Sequence, residues 1–488
     1  MGHPAVLSAD SGLPGRIHCE LLVCTKVRLA MKDLEKHPTV VKIREASGGE
    51  AREARLEAPQ REAKVTAAWL RSLALELGAD DAGVVRLDRP ELDEQRADII
   101  ALFPRTRTLL SFVVRMNREN IRTPARSVAN LEFHHATDEV NEIARHIVSA
   151  CEERGIGALN GAAGFPMEAD RWGTKMWVVS HKPVAVAAGL GQMGIHRNVI
   201  HPKFGNFISL GTVLLAAEVD EQAQPIAYNP CVECKLCVAA CPTGAIGSDG
   251  YFNFSACYTH NYREFMGGFV DWAHTLTKVR DAAAYREKVS DAETVSMWQS
   301  LAFGPNYKAA YCMAVCPAGE DVIRPFLEQR KEFLDEVVRP LQEKMETVYV
   351  LAESDAEEYV ARRYPNKRTK QVSNGTRMAT IAQFLRGITL AFQPGRAKGL
   401  NAVYEFTFTG KEPGQASVLI RDQRIAVSRA GAGVGDEATA RLKITADSAT
   451  WLRFLAGEAS IFWALVRRKI RLRGSPKLLL AFAKCFAR

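Results

Sequence analysis

The chain has 488 residues, of which 47% are hydrophobic and 25% are charged, so it is long enough for about three domains with their own apolar cores. No run of about eighteen uninterrupted apolar residues occurs, and a membrane span is therefore not expected. The net charge of +8 comes from scattered arginines, which permits an anionic partner without indicating one.

The first part of the chain changes character near residue 62. Residues 1–61 have no clear amphipathic period and are rich in Glu, Arg and Ala towards their end, so we predict a partly disordered N-terminal extension. Beyond it, apolar spacing predicts a helix after Lys64, strands at 82–87 and 108–115, and a helix over 138–154. This alternation predicts an α/β or α+β domain over residues 62–225.

A glycine-rich segment lies within that domain. The run Gly189-Leu-Gly191-Gln-Met-Gly194 matches the letters of the GxGxxG dinucleotide fingerprint, and residues 184–188 are a candidate for the preceding strand. No βαβ unit with a closing acidic residue follows. The pattern therefore disfavours nicotinamide binding.

Seven cysteines between residues 231 and 316 are the strongest chemical signal in the chain. Four of them have the C-x2-C-x2-C-x3-C-P spacing of bacterial two-cluster ferredoxins, and Cys316-Pro317 repeats the ending of that motif. We predict a two-cluster 4Fe-4S ferredoxin-like module over residues 226–330. On this template the first cluster takes Cys231, Cys234, Cys237 and Cys316, and the second takes Cys241, Cys257 and Cys312.

The second set is one cysteine short, because Ala309 stands where the template places a ligand. Either a residue of another type completes the cluster, with His260 as the nearest candidate, or one iron is open or missing. A zinc site is disfavoured because zinc ligands usually occur as two separated CxxC pairs. Disulfides are disfavoured because a long chain without a secretory leader has no need of them, and we expect a reducing cytoplasm.

The last third of the chain predicts a connector and a further domain. Residues 331–373 contain a strand at 347–351, a helix at 354–364 and the start of a basic linker over 366–375. Residues 374–488 predict an α+β domain. Its expected elements are a helix around Phe384, strands at 402–409, 415–421, 424–429 and 441–445, a helix that Asp447 caps, a strand at 469–473 and a final helix.

The region from 62 to 330 resembles the epoxyqueuosine reductase and reductive dehalogenase superfamily. The resemblance is carried by Val114-Arg-Met-Asn, by 183–194, by Phe204-Gly-Asn-Phe and by the cysteine set with Pro242-Thr-Gly-Ala-Ile. It implies a nitroreductase-like α/β domain that binds cobalamin, followed by the cluster module. By the same resemblance, Gly189, Gly191 and Gly194 are corrinoid-contact positions, and Asp170 is the candidate for the family's acidic proton donor, with an exposed ion-paired carboxylate as the alternative.

Residues 374–488 resemble sterol-carrier-protein type lipid-binding domains. The resemblance rests on the paired strands around Ile420, on 446–457, and on Lys469-Ile-Arg-Leu-Arg-Gly474 with the final helix. It implies an apolar tunnel, for which the candidate lining residues are Trp451, Phe454, Phe462 and Trp463, each with a filled core as the alternative.

The two resemblances together imply an iron-sulfur oxidoreductase, with cobalamin as the expected further cofactor, that reduces a hydrophobic small molecule. Its expected partners are an electron donor (ferredoxin, flavodoxin or a reductase) and a hydrophobic small molecule or lipid, whereas nucleic acid is not expected. Two alternatives remain open. One is a non-catalytic, ferredoxin-type electron-transfer protein with a lipid-binding tail, and the other is a tRNA epoxyqueuosine reductase.

Overall fold

The computed structural model describes residues 36, 38–39, 41–42, 63–172, 175–227, 229–231, 234–375, 377–428 and 440–486. The chain divides into the units Met1–Arg61 and Glu62–Arg488, and the extension predicted for 1–61 lies almost wholly outside the described residues. None of the helices in this described part combines the length and the apolarity that a membrane crossing requires.

The strands and helices of the second unit are numbered here in chain order. The strands are β1 Ala63–Val65, β2 Asp81–Arg86, β3 Thr108–Arg115, β4 Ala158–Asn160, β5 Gln192–Met193, β6 Val199–Ile200, β7 Ile208–Leu215, β8 Ala217–Val219, β9 Thr347–Val350, β10 Arg368–Gln371, β11 Ala402–Thr409, β12 Gly414–Arg421, β13 Arg424–Ser428, β14 Ala440–Asp447 and β15 Ile470–Arg473. The helices are α1 Ala67–Glu76, α2 Asp93–Leu102, α3 Arg118–Arg122, α4 Arg126–Glu153, α5 His181–Ala187, α6 Leu236–Ala240, α7 Phe254–Asn261, α8 Gly267–Lys278, α9 Ala282–Lys288, α10 Asp291–Phe303, α11 Tyr311–Ala314, α12 Glu320–Glu328, α13 Arg330–Phe333, α14 Arg339–Glu343, α15 Asp355–Arg363, α16 Ile381–Ala391, α17 Ser448–Leu455, α18 Ile461–Val466 and α19 Pro476–Lys484.

An antiparallel sheet in the order β2-β3-β7-β4 organises the N-terminal part of this unit. Alternate residues of β3 enter two different apolar cores, Leu110 on the face that α1 and α4 cover and Leu109 on the face that α5 covers. Because both faces are covered, β3 is buried at every position except Arg115, which explains its predominantly apolar sequence.

The segment before the glycines is a helix, so the strand considered for residues 184–188 is wrong. Helix α5 ends at Ala187, and Gly189, two residues later, adopts a left-handed φ of 73° while Leu190 N donates to Ala185 O. Short apolar runs carry no periodicity that separates strand from helix, and the alanines of this run favour the helix. The GxGxxG letters therefore follow a helix and lack the context of a dinucleotide site.

The middle of the unit is built from short helices, α6 to α14, around one apolar core. A parallel pair of strands, β9 and β10, adjoins it with Thr347 opposite Arg368. The linker predicted for 366–375 is therefore wrong at 368–371, where polar residues pair through their backbone. The ion pair of Lys370 with Glu293, at 2.6 Å, helps to hold this edge.

The C-terminal part is a five-stranded sheet in the order β13-β12-β11-β14-β15. Strand β11 runs parallel to β14, and the other neighbours are antiparallel. The predicted tight turn at Asp422-Gln423 has positive φ at both residues, as a two-residue hairpin requires. Asp447 caps α17 by accepting from Thr450 N at 3.0 Å, also as predicted.

Candidate metal centre

The seven cysteines come from loops and short helices that meet beside one another. Cys231 and Cys234 precede α6, Cys237 lies in α6, and Cys241 follows it directly. Cys257 lies in α7, Cys312 lies in α11, and Cys316 follows α11 by one residue. Helices α6 and α11 pack against each other, which brings the two ends of the motif together.

The electrostatic contacts among the thiols separate them into two sets. Cys237 interacts with Cys312, Cys316, Cys234 and Cys231, whereas Cys257 interacts with Cys241 and Cys312. The two sets therefore share Cys312, which interacts with members of both. These contacts are compatible with the two-cluster template. That each set binds a 4Fe-4S cluster stays a prediction.

Left-handed backbone turns place the sulfurs. Lys235 and Ala310, at φ 51° and 58°, immediately precede α6 and α11, so each short helix begins from a sharp turn. Backbone N–H groups then point at sulfur, with Ile195 N donating to Cys231 Sγ at 3.3 Å and Ala245 N donating to Cys241 Sγ at 3.3 Å. Such donors stabilise negative charge on sulfur and tune the potential of a bound cluster.

Without metal, the buried cysteines are protonated. Burial raises the pKa of the Cys312 and Cys316 thiols to about 12, and neighbouring thiols add to the effect. Burial also raises the pKa of Cys237 and Cys257, with further contributions from nearby cysteines. Binding of metal by these cysteines must therefore release their protons, and the positive charge of the iron then stabilises the thiolates in place of the protons.

The chemistry of the donors, rather than their spacing, favours iron-sulfur clusters. In the part of the chain that the structure describes, no three His, Cys, Asp or Glu side chains gather closely enough to hold one metal ion. A cubane spreads its four ligands over separate irons, so its thiolates lie farther apart than those around zinc. Thiolate donors with N–H···S hydrogen bonds therefore fit iron-sulfur clusters.

His260, the candidate fourth ligand, has its two ring nitrogens in different surroundings. Its Nδ1 accepts from Tyr349 N at 3.3 Å, whereas its Nε2 is buried and has no hydrogen-bond partner among the described residues. Burial lowers the pKa of His260 to about 4, and its charged neighbours are Glu346 and the lysines at 308, 344 and 367. Packing of α7 against β9 directs Nδ1 to the strand, and ligation through Nε2 stays a prediction.

Lys182 is a functional candidate that the sequence reasoning missed. Its Nζ donates to Arg197 O at 2.7 Å and to Asn198 Oδ1 at 3.0 Å. The side chain keeps some solvent access, but the surrounding protein lowers the pKa of its ammonium, an effect that Cys312 and Cys257 oppose. A cation therefore stands beside the second set. The sequence showed only that a lysine precedes the apolar run at 184–188, and this pattern gave no sign that the lysine lies near the cysteines.

The glycine segment does not fit a corrinoid contact surface. A Cβ on Gly191 would lie 2.5 Å from Ile200 O, and one on Gly189 would lie 2.7 Å from Gln224 O. A Cβ on Gly194 would meet the ring of His196 at 2.7 Å. The space that these glycines leave is filled by the protein's own atoms, so close chain packing accounts for them. Asp170 is exposed, in the 3-10 turn Ala169–Arg171.

The aromatic residues assigned to a tunnel have different places in the structure. Trp451 is fully buried and packs edge-on against Phe384 and Phe406, with ring centroids 5.6 and 5.4 Å away. Phe462 and Trp463 are 63% and 56% exposed on α18, so a tunnel lining is wrong for these two. Phe454 is half-buried beside Trp451, at 5.6 Å between ring centroids.

The C-terminal sheet domain contacts the cysteine-bearing region directly. Helix α16 packs against α7, which carries Cys257. Gln383 of α16 donates from Nε2 to Trp172 O at 2.9 Å, close to Asp170 in sequence. Arg424 pairs with Asp249 at 2.8 Å. The domain therefore lies against both the second cysteine set and the segment that holds the candidate acid.

Comparison with known proteins supports both resemblances. Residues 385–487 match the model of the SCP-2 sterol transfer family. The chain is 38% identical over 80 residues to an epoxyqueuosine reductase of Staphylococcus aureus, covering 16% of this chain and 20% of the relative. It is 27% identical over 161 residues to one of Lactococcus garvieae, covering 32% and 38%. The chain thus spans about a fifth to two fifths of these curated relatives.

Solved structures of the same two groups also match. An epoxyqueuosine reductase with a tRNA-Tyr epoxyqueuosine-modified tRNA stem loop is 16% identical over 39% of this chain and 56% of that chain, with a TM-score of 0.30. The catabolic reductive dehalogenase NpRdhA in complex with 3-bromo-4-hydroxybenzoic acid is 15% identical over 55% and 35%, with a TM-score of 0.35. The chain is therefore similar, over part of its length, to curated epoxyqueuosine reductases, and it ends in a region that matches the SCP-2 sterol transfer family.

Proposed function

We propose that this protein is an iron-sulfur oxidoreductase that carries out a reductive step on a hydrophobic small molecule. The observation that carries the proposal is the division of the seven cysteines into two adjoining sets with backbone N–H donors to sulfur. Two clusters held side by side pass electrons from one to the other, and the protein tunes them through charge and hydrogen bonds.

The proposed electron path runs from the first set to the second. Cys231 and Cys234 are only partly buried, so an external donor such as a ferredoxin, a flavodoxin or a reductase approaches the first set. In the second set Cys257 and Cys312 are partly buried as well, and this set lies beside Lys182 and next to α16, where the proposed substrate arrives. No step is assigned to a corrinoid, because the glycine segment does not fit one.

The family match and the position of the C-terminal domain support the proposal that the substrate is hydrophobic. It matches a sterol transfer family and lies against α7 and Trp172, so a molecule that it holds is delivered close to the second set. Saturable binding of a fluorescent acyl or sterol probe to the full chain is the expected result. A chain that binds no such probe would contradict a lipid-type substrate.

The metal content tests the proposal. Protein purified without oxygen is expected to contain iron and sulfide in about equal amounts, at about eight irons per chain, and cobalt analysis decides whether a corrinoid is also present. Cys257→Ser is expected to lose about half of the iron. Cys151→Ser is the matched control, because Cys151 is buried in α4, far in sequence from both sets, and should keep all of it. Zinc alone, or no metal, would sink the proposal.

A second candidate function is the reduction of epoxyqueuosine in tRNA. The curated relatives are named epoxyqueuosine reductase, so the expectation that nucleic acid is not a partner gains no support from them. Filter binding of tRNA that weakens steeply with salt would favour this candidate. Binding of the hydrophobic probe without tRNA binding would favour the first.

A further inference from the structure

Helix α18 is apolar on the side that faces solvent as well as on the side that faces the core. Its inward residues pack on the C-terminal core, with Ala464 buried and Ile461 and Leu465 partly buried. Its outward residues are 63%, 56% and 56% exposed, and they are Phe462, Trp463 and Val466. One apolar face is enough to join a helix to a core, so folding of the domain does not explain the outward face.

The outward residues form one continuous surface. The rings of Phe462 and Trp463 meet edge to face, with centroids 5.5 Å apart. Val466 follows them in the same helix at i+4 and i+3, so it shares a face with both. The guanidinium of Arg467 lies 6.0 Å from the centre of the Trp463 ring. We call Phe462, Trp463 and Val466 the α18 patch.

The chain around this patch carries cations and no acids. Residues 459–486 contain seven lysines and arginines and no Asp or Glu. All seven cations are exposed, and they are Arg467, Arg468, Lys469, Arg471, Arg473, Lys477 and Lys484. Strand β14 differs, because its Arg441 and Lys443 pair with Glu405 at 2.9 and 3.1 Å. No such ion pair joins the seven cations to any residue in the described ranges, so their charge is available to an anionic partner.

The backbone holds the cations beside the aromatic rings. The chain turns directly after α18 at Arg468, whose φ is 54°, and Lys469 N donates to Ala464 O at 2.9 Å. It then enters β15, which packs against α18 and lies at the edge of the sheet. The α18 patch and the cations that follow it therefore lie together at one border of the domain.

This combination of groups fits a lipid surface better than a nucleic acid. A nucleic acid needs cations for its phosphates and flat rings on which its bases stack. The α18 patch adds the exposed aliphatic Val466 to its rings. Exposed aromatic and aliphatic residues next to Lys and Arg are typical of segments that enter the head-group region of a membrane. Residues 385–487 match a sterol transfer family, and a surface where an apolar ligand leaves or enters a bilayer suits such a domain.

We propose that the α18 patch and the cations that follow it dock the protein on an anionic lipid bilayer. The rings and Val466 enter the head-group region, and the cations contact the acidic head groups. This docking is attachment to one side of a membrane and needs no helix that crosses it. It goes beyond the function proposed above and does not depend on bound clusters.

Binding of the full chain to vesicles gives the first test. The chain is expected to sediment with vesicles of phosphatidylcholine and phosphatidylglycerol, and to bind less at high salt or to phosphatidylcholine alone. Combining Arg467→Gln, Arg468→Gln and Lys469→Gln should weaken this binding by roughly a hundredfold, because each cation near an anionic surface contributes about fivefold. An unaltered chain that binds neither kind of vesicle would overturn the proposal.

Two tryptophans of equal exposure give a sharper test. Trp463→Ala should weaken vesicle binding by roughly tenfold, because a large aromatic contact with the interface is lost. Trp298→Ala is the matched control, since Trp298 is 57% exposed but lies in α10, which begins with Asp291 and has Glu293 in its first turn. This control should bind vesicles as the unaltered chain does. Unchanged binding by Trp463→Ala would refute docking through α18.

Fluorescence and tRNA binding complete the test. Lipids with brominated acyl chains should quench tryptophan fluorescence of the unaltered chain, and Trp463→Phe should still bind vesicles but lose this quenching. Quenching that persists in Trp463→Phe would show that another surface enters the bilayer and would contradict the proposal. Binding of tRNA that the triple Gln variant loses, without vesicle binding by the unaltered chain, would assign the surface to nucleic acid instead.

Discussion

The cysteine-bearing region and the C-terminal domain reach stability by different means. Residues 229–345 contain short helices joined by irregular loops, and partly buried cysteines pack against their core. Residues 377–486 form a regular five-stranded sheet whose core is filled by aromatic rings. On the proposed function, the first region depends on bound metal to hold its loops together, whereas aromatic packing holds the second. Metal and core variants should therefore affect the two regions separately.

Removal of iron is expected to have the largest effect. A chelator under reducing conditions should strip both clusters. The loops around Cys231–Cys241 and Cys312–Cys316 should then lose protection from hydrogen exchange, because the free energy of metal binding contributes to the stability of the fold around the metal. Strands β11 and β14 should keep theirs. Hydrogen exchange read by mass spectrometry checks this, and equal loss in both regions would contradict the separation.

Truncation of the C-terminal aromatic core is expected to have the next largest effect. Trp451 is fully buried, so Trp451→Ala should lower the free energy of unfolding of this domain by about 3–5 kcal/mol. Trp463→Ala, at an exposed position, should change it by less than about 0.5 kcal/mol. Denaturant unfolding followed by circular dichroism measures both. Iron content should stay the same in the two variants.

The buried His260 predicts a dependence of stability on pH. Burial lowers its pKa from 6.5 to about 4 in the folded protein, so the unfolded chain binds the extra proton between these values. Stability should therefore be fully present above pH 6.5 and fall as the pH drops towards 4, by about 2 kcal/mol between pH 7 and pH 5. His260→Gln, measured by urea unfolding at both pH values, should remove this part of the dependence. An identical pH slope in the variant would contradict the assignment.

The smallest expected effect concerns the charge of Lys182. A cation beside Cys257 and Cys312 favours the reduced, more negative cluster. Lys182→Met should lower the reduction potential of the second cluster by roughly tens of millivolts, since the loss of one solvent-screened unit charge contributes on the order of 1 kcal/mol or less. A redox titration followed by electron paramagnetic resonance checks the shift. Lys278→Met, at the end of α8, is the control and should leave both potentials unchanged.

Strong local patterns made much of the fold predictable. The strand at 108–115 was expected from a predominantly apolar run, and the hairpin turn at Asp422-Gln423 from two flanking strand patterns. The Asp447 cap followed from a polar residue before an apolar helix. Prediction was wrong where the local signal was ambiguous, as in the C-terminal half of α5, or where pairing joined distant polar segments, as at β10.

The sequence by itself determined the chemistry of the candidate site, because cysteine spacing limits which thiols reach the same metal group. It also determined which segments bury apolar faces, since those follow from short-range periodicity. Only the tertiary structure decided which residues stand beside the second set. Lys182 and Ala309 lie far apart in the chain, and packing that no local pattern records brings both beside the elements that carry Cys257 and Cys312.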